Sequence, residues 1–280
     1  MGAFLFYLLK SGCCLVVFYI FFKLLMSRST FFRFKRITLL VGLLGCTLLP
    51  LIELTTTEET FLHTPLYAIH EILQSTESVI LNPEQMEDPI LISEKNPEIN
   101  SLNWIPVTLA FIYGVGALVT LIWLSLSTCR LIQLIRTSEK KQFGNYVLVI
   151  PQQPTASFSW GKYIVISAAD YSQQSEEILL HETMHLRNHH TLDLLFMQIF
   201  LLVYWFNPVV WLLKRELQEV HEFEADNGVI NTGIDATKYQ LLLVKKAVGT
   251  RLYSMANGFN HSKLKKRITM MLKERTNRWA

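Results

Sequence analysis

The chain has 280 residues, of which 50% are hydrophobic, 12% aromatic and only 18% charged, with a positive mean hydropathy of +0.27. That is too apolar for an ordinary water-soluble domain of this length and calls for a bilayer, while a formal charge of +3 is too small and too uneven for a nucleic-acid-binding chain. Cys13, Cys14, Cys46 and Cys129 lie in or beside apolar stretches without the paired spacing of a disulfide framework or a CxxC metal site.

In chain order, the run from Phe4 to Phe22, interrupted by Lys10 and Ser11, has the length of a membrane helix. Lys23, Arg28, Arg33, Lys35 and Arg36 follow it, whereas a signal peptide carries its charge before a shorter apolar run, so the segment is expected to stay as a span. A second run, Ile37 to Ile52, becomes long enough with its flanks and tolerates Pro50 near its end. Residues 1–53 are thus read as two transmembrane helices joined by a basic loop. Residues 54–103 carry acidic side chains throughout against the single Lys95, so the positive-inside rule places the basic loop in the cytoplasm, and the acidic loop and amino terminus outside. A third span, 104–128, opens on Trp104 and contains Trp123; Arg130, Arg136, Lys140 and Lys141 follow on the cytoplasmic side.

Residues 129–280 are expected to form a cytoplasm-facing domain. Between Asn145 and Ser167, YVLVI and KYIVIS flank the polar PQQPTASFSWG and predict two short strands around a turn region. Ser175 to His190 predicts a helix, capped by Ser172 or Ser175 and bearing glutamates in its first turn; Asp235 to Val248 predicts another. From 241 onward every charged side chain except Glu274 is Lys or Arg, which fits a tail lying against anionic cytoplasmic lipid or an acidic partner. No recognised nucleic-acid-binding module accompanies that charge.

The segment His181-Glu182-Thr183-Met184-His185 sets two imidazoles four residues apart, so that on a helix they project from one face and can hold one ion. Glu182 lies beside them, where its carboxylate can take a proton from an attacking water and pass it to a leaving amine. Catalytic zinc takes three protein ligands, and Glu222 is the candidate third; Asp226, four residues on, shares its helix face and can accept a hydrogen bond from a ligand histidine. Leu194 to Leu213 is as apolar as a span, yet it separates His185 from Glu222, which must meet on one side of the bilayer. A single crossing is excluded, and residues 194–213 must form a buried helical pair or dip into the membrane and return, with Asn207-Pro208 as the natural break.

HETMH followed by EFEAD resembles the gluzincin arrangement, and with WFNPVVW at Trp205 to Trp211 and the three earlier spans the chain is similar to the BlaR/MecR family of antirepressor membrane metallopeptidases. The resemblance implies a mainly α-helical integral membrane protein: three amino-terminal transmembrane helices and a gluzincin-like helical zinc-peptidase domain with a small β-hairpin or sheet. It implies Zn2+ on His181, His185 and Glu222, Glu182 as base, Asp226 behind the ligands, and a cytoplasmic protein substrate such as a winged-helix repressor, cleaved after an envelope signal. It places the chain in the cytoplasmic membrane as a multi-pass protein, with no direct nucleic-acid contact and with a homodimer compatible. In gluzincins a sheet edge often holds extended substrate, which makes Phe158 to Ile164, with Phe158, Ser159 and Trp160, a candidate substrate-binding segment. His221 beside the third ligand is a candidate for the oxyanion, and His189 and His190 for contact with metal or substrate. The antibiotic sensors of that family carry a penicillin-binding domain after a fourth span; this sequence ends at Ala280 with neither, so β-lactam binding is not expected. The contrasting reading is a non-proteolytic signalling or scaffold protein with a structural zinc site, against which the intact Glu182 stands. A transporter would want ionisable residues within its spans, which, apart from Lys10, are nearly free of them.

Overall fold

In the computed structural model, which describes residues 2–26, 29–52, 104–153, 155–172, 176–249 and 258–273, the amino-terminal apolar runs are helices α1 (Gly2–Met26) and α2 (Phe32–Leu48). A 3-10 turn at Leu49–Leu51 prolongs α2 and takes Pro50 in its first turn, where the missing N–H is harmless. The loop expected at 54–103 lies outside the described residues. Helix α3 (Trp104–Thr137) completes a set of three helices long and apolar enough to cross a membrane. Its most apolar stretch is 0% buried, so a long apolar surface is left for lipid.

Two boundaries differ from the sequence reading. Helix α2 starts at Phe32 rather than at Ile37, so Arg33, Lys35 and Arg36 are helical rather than loop residues, and Lys35 is buried. Helix α3 runs past 128 to Thr137 because CRLIQLIR continues in good helix formers after the apolar stretch ends, which makes Arg130 and Arg136 helical too.

Four strands, not two, follow: β1 (Glu139–Phe143), β2 (Tyr146–Ile150), β3 (Phe158–Trp160) and β4 (Tyr163–Val165), in the order β1-β2-β4-β3. The sequence reading missed β1 because EKKQF has no apolar alternation; it is a charged edge strand paired antiparallel with β2. FSW, which falls in the turn region of the two-strand reading but in the expected sheet edge Phe158 to Ile164, forms β3, paired antiparallel with β4 as the other edge of the sheet. Gly144 and Gly161, at φ 50° and 58°, supply the left-handed positions of the two tight turns.

The helical part comprises α4 (Ala168–Ser172), α5 (Glu176–Arg187), α6 (His190–Val203), α7 (Pro208–Ile230), α8 (Ala236–Gly249) and α9 (Gly258–Leu272). The helix expected to run to His190 stops at Arg187, because His189 adopts the left-handed conformation, φ 57°, and turns the chain into α6. Of its proposed caps, Ser172 ends α4 instead, and Ser175 is outside the described residues. The helix read from Asp235 starts at Ala236, with the Asp235 carboxylate accepting from the Thr237 N–H at 2.7 Å.

Helices α6 and α7 form a hairpin whose break falls at Asn207-Pro208. Asn207 caps α7 by accepting from the Val209 N–H at 2.9 Å and donates to the Gly12 carbonyl, halfway along α1, at 3.4 Å. Backbone groups at the bend find side-chain donors: Tyr113 reaches the Val203 carbonyl at 3.0 Å and Trp211 that of Trp205 at 3.1 Å. Trp205 lies so close to α3 that Gly116 has no room for a Cβ. Leu8, Leu15 and Phe22 of α1, Leu39 and Leu43 of α2, Met197 and Leu201 of α6, and Leu213 and Leu217 of α7 form one core, so the hairpin is packed against the first two apolar helices. Lys23 near the end of α1 pairs with Glu216 of α7.

Asn207→Ala removes the cap and the Gly12 contact together and is expected to lower stability by about 1–2 kcal/mol, seen as a reduced unfolding midpoint in detergent. Asn207→Ser keeps a capping oxygen and should recover most of that loss.

Candidate metal centre

Helix α5 is short and buries Ile178, His181, Glu182 and Met184 on one face. That face lies against α7, where the stripe Leu213, Leu217, Val220 and Glu224 continues the packing surface of the hairpin into the polar end of the helix. The i, i+4 spacing sets the Nε2 atoms of His181 and His185 3.2 Å apart. Across the interface the Glu222 carboxylate stands 3.6 Å from His181 Nε2 through Oε2 and 3.7 Å from His185 Nε2 through Oε1. Two donors at the ~2.0–2.1 Å bond lengths of tetrahedral zinc are about 3.3 Å apart, so all three fit around one ion with little adjustment. Among the described residues they are the one group of His, Cys, Asp or Glu side chains suited to holding a metal, their donor atoms lying within 4.8 Å of one another.

Behind His181 the hydrogen bonds fix which nitrogen faces the ion. Its Nδ1 lies 2.9 Å from the Tyr239 hydroxyl, and that hydroxyl donates to Asp226 Oδ1 at 2.8 Å. A phenol has one proton, so the network is satisfied when His181 Nδ1–H donates to Tyr239 and leaves the Nε2 lone pair free. Asp226 Oδ1 is itself 3.3 Å from Nδ1 and is held by Arg267 from α9, at 2.8 Å to Oδ2 and 2.6 Å to Oδ1. The same guanidinium reaches Glu222 Oε2 at 2.9 Å and so orients the third donor. Tyr239 and Arg267 are the positions that the sequence reading missed here.

Electrostatics follow from burial among these charges. Burial pushes the His181 imidazole down, but the carboxylates of Asp226 and Glu222 outweigh it and lift the pKa to about 9. Burial, and next the neighbouring His181, drive His185 down to about 3. Burial raises Asp226 while His181 and Arg267 lower it further, so that it stays ionised. Burial also raises Glu182, which is 6% exposed, with only partial relief from His181 and the Ser159 hydroxyl. A carboxyl held above its ordinary range is suited to accept a proton and give it up again.

The remaining expected residues divide. Asp226 lies behind His181, 3.3 Å from its Nδ1, with the Tyr239 hydroxyl between them. His190 is buried and its Nδ1 sits 2.7 Å from His185 Nδ1, while His221 is buried with its Nε2 2.8 Å from Asp193 Oδ2. His189 is exposed at the turn between α5 and α6. On β3, Ser159 points to Glu182, but Phe158 and Trp160 alternate to the other face and pack on the cluster of Ile135, Val149 and Val165. Their side chains therefore belong to the sheet's core, and only the backbone edge and Ser159 border the site. A cavity of about 500 Å³ opens over His185 and Glu222 and is lined by Ser159, Thr191, Leu243, Lys246, Lys263 and Arg267 among others.

The pattern of the BlaR1 peptidase M56 family matches residues 39–271. The chain belongs to that family. M56 peptidases are metallopeptidases, and the three donors above are where such an enzyme would hold its ion. The chain is similar to the regulatory protein BlaR1 of Staphylococcus aureus, 34% identical over 84 residues, which are 28% of this chain and 14% of that protein. It is similar also to the regulatory protein BlaR1 of Bacillus licheniformis, 38% identical over 55 residues, 20% of this chain and 9% of that one. The aligned stretches are thus small parts of both relatives.

For this M56 peptidase, Tyr239→Phe should cut the relay between His181 and Asp226 and weaken metal binding about 10- to 100-fold, measured with added Zn2+ by competition with a chromophoric chelator.

Proposed function

We propose that the chain is a membrane-embedded zinc endopeptidase of regulatory type that cleaves a cytoplasmic protein, such as a transcriptional repressor, in response to an envelope signal. The observation that carries this reading is the convergence of His181, His185 and Glu222 beside the buried Glu182. Two imidazoles and a carboxylate suit zinc, and three protein ligands are the number of a catalytic site, whereas a structural site is normally closed by four. Zinc bound there supplies a Lewis acid for the scissile carbonyl and eases deprotonation of water.

The rest is done by side chains of this chain. Glu182 takes the proton as water adds to the carbonyl carbon, then delivers it to the amide nitrogen as the C–N bond breaks. Asp226 and Tyr239 hold His181 in the ligating tautomer, and Arg267 holds Glu222. The β3 edge can align an extended substrate through its backbone, next to Ser159 and Glu182. A regulatory role draws on the names of the two relatives.

We place the centre at the cytoplasmic membrane surface, with the amino terminus outside. The bend at Asn207 meets α1 at its midpoint, and Glu222 lies about 21 Å up α7 at 1.5 Å per residue. Half of a hydrocarbon core is about 15 Å, so a hairpin dipping to mid-bilayer lifts the donors just clear of it.

Glu182→Gln should retain zinc and lose proteolysis, and His181→Ala should lose both; cytoplasmic proteins that accumulate intact in cells carrying Glu182→Gln are the substrate candidates. Retained cleavage by the glutamine variant would reject the assignment. Reporter fusions within 54–103 should be active only as extracytoplasmic reporters, and fusions after Ala280 only as cytoplasmic ones.

A further inference from the structure

His185 is backed by a second chain of side chains, and this one ends on a membrane helix. His185 Nδ1 lies 2.7 Å from His190 Nδ1, and His190 Nε2 lies 3.3 Å from Glu224 Oε2. The pattern is satisfied when His185 donates to His190 and His190 donates to the carboxylate, which leaves His185 Nε2 free to ligate. Glu224 Oε2 accepts from Arg36 Nη1 at 3.5 Å. The same guanidinium donates to Asp193 from Nε at 2.6 Å and Nη2 at 3.2 Å, and to the Asn188 carbonyl from Nη2 at 2.6 Å. Asp193 also holds His221, whose ring stacks on that of His190 at 4.0 Å with an 8° tilt. Asn188 follows α5, Asp193 lies on α6 and Glu224 on α7, whereas Arg36 comes from α2. One guanidinium therefore clamps the end of the histidine helix to both helices of the hairpin.

We infer that Arg36 is a positioning residue: through Glu224 and His190 it sets the orientation and tautomer of His185, so that the placement of membrane helix α2 controls the quality of the metal centre. The inference rests on the metal-centre reading above. Asp193 and Glu224 are both buried and need a cation. Arg33 also approaches Glu224, at 3.4 Å, but its side chain is 84% exposed to solvent, which screens the pair. A planar fork can serve three acceptors at once, which a lysine ammonium in the same place cannot match. Displacing α2 by about 1–2 Å would take these bonds outside hydrogen-bonding range, which gives the span a means to loosen the ligand without touching the ion.

The test uses the full chain in lipid nanodiscs, stripped of metal and titrated with Co2+, whose visible absorption reports ligand geometry, followed by competition with Zn2+. Arg36→Gln should shift the Co2+ spectrum and weaken Zn2+ binding about 10- to 100-fold, Arg36→Lys should recover part of that loss, and Arg33→Gln should leave both readings unchanged. In a His190→Phe background, Arg36→Gln should add less than about a twofold further loss, since the two act through one chain. A wild-type spectrum and affinity in Arg36→Gln, or an equal loss with and without His190, overturns the inference. Should Arg36→Gln fail to fold, a folded Arg36→Lys with unaltered spectrum and affinity overturns it equally. A wild-type protein that binds neither ion defeats the metal-centre reading itself, a different failure from that of Arg36 alone.

Discussion

Two donors on α5 and a third on α7 converge to within 4.8 Å of one another, and the chain between them must therefore leave and return to the same place. Every larger feature follows from that requirement. The apolar stretch that a hydropathy reading would make a fourth span is folded back on itself at Asn207-Pro208, and one side of it packs against α1 and α2. Its second helix then has to be long, because one end packs among membrane helices while the other presents Glu222, Glu224 and Asp226. One continuous rod in this way joins the apolar packing surface to the three-donor site.

The polar end of that rod solves a second problem, which is how to keep so many charges away from water. Each ligand histidine is backed by a relay that ends on a carboxylate, and each carboxylate is gripped by an arginine from a distant element. For His181 the relay is Tyr239 to Asp226, gripped by Arg267; for His185 it is His190 to Glu224, gripped by Arg36. Buried carboxylates without such partners would be strongly destabilising. The fork of arginine meets the geometry where lysine would not, since each guanidinium serves two acidic side chains at once.

Much of this was legible in the sequence, and the pattern of what was not is informative. The donors themselves are local signals: an i, i+4 histidine pair, and an acidic pair with the same spacing. The helix break was legible because proline leaves few options for the residue before it. Tyr239, Arg267 and Arg36 were not, since an isolated tyrosine or arginine on a helix has no signature until its partner arrives from another element. The strand Glu139–Phe143 was missed because an edge strand has no buried face to impose alternation. His189 was read as helix because nothing in HLRNHH marks a left-handed turn, which here is carried by a histidine instead of the usual glycine. Phe158 and Trp160 looked like a binding edge, and the pleat sends both rings into the sheet's own core.

The contact between Asn207 and the middle of α1 also bears on biogenesis. The polar bend of the hairpin finds a carbonyl partner in α1, and its tryptophan closes against a glycine of α3, both of which precede it in the chain. Both receptors have been synthesised before the bend leaves the ribosome. A nascent chain can therefore assemble this site in the order in which it emerges, with the earlier helices as the mould into which the later pair is cast.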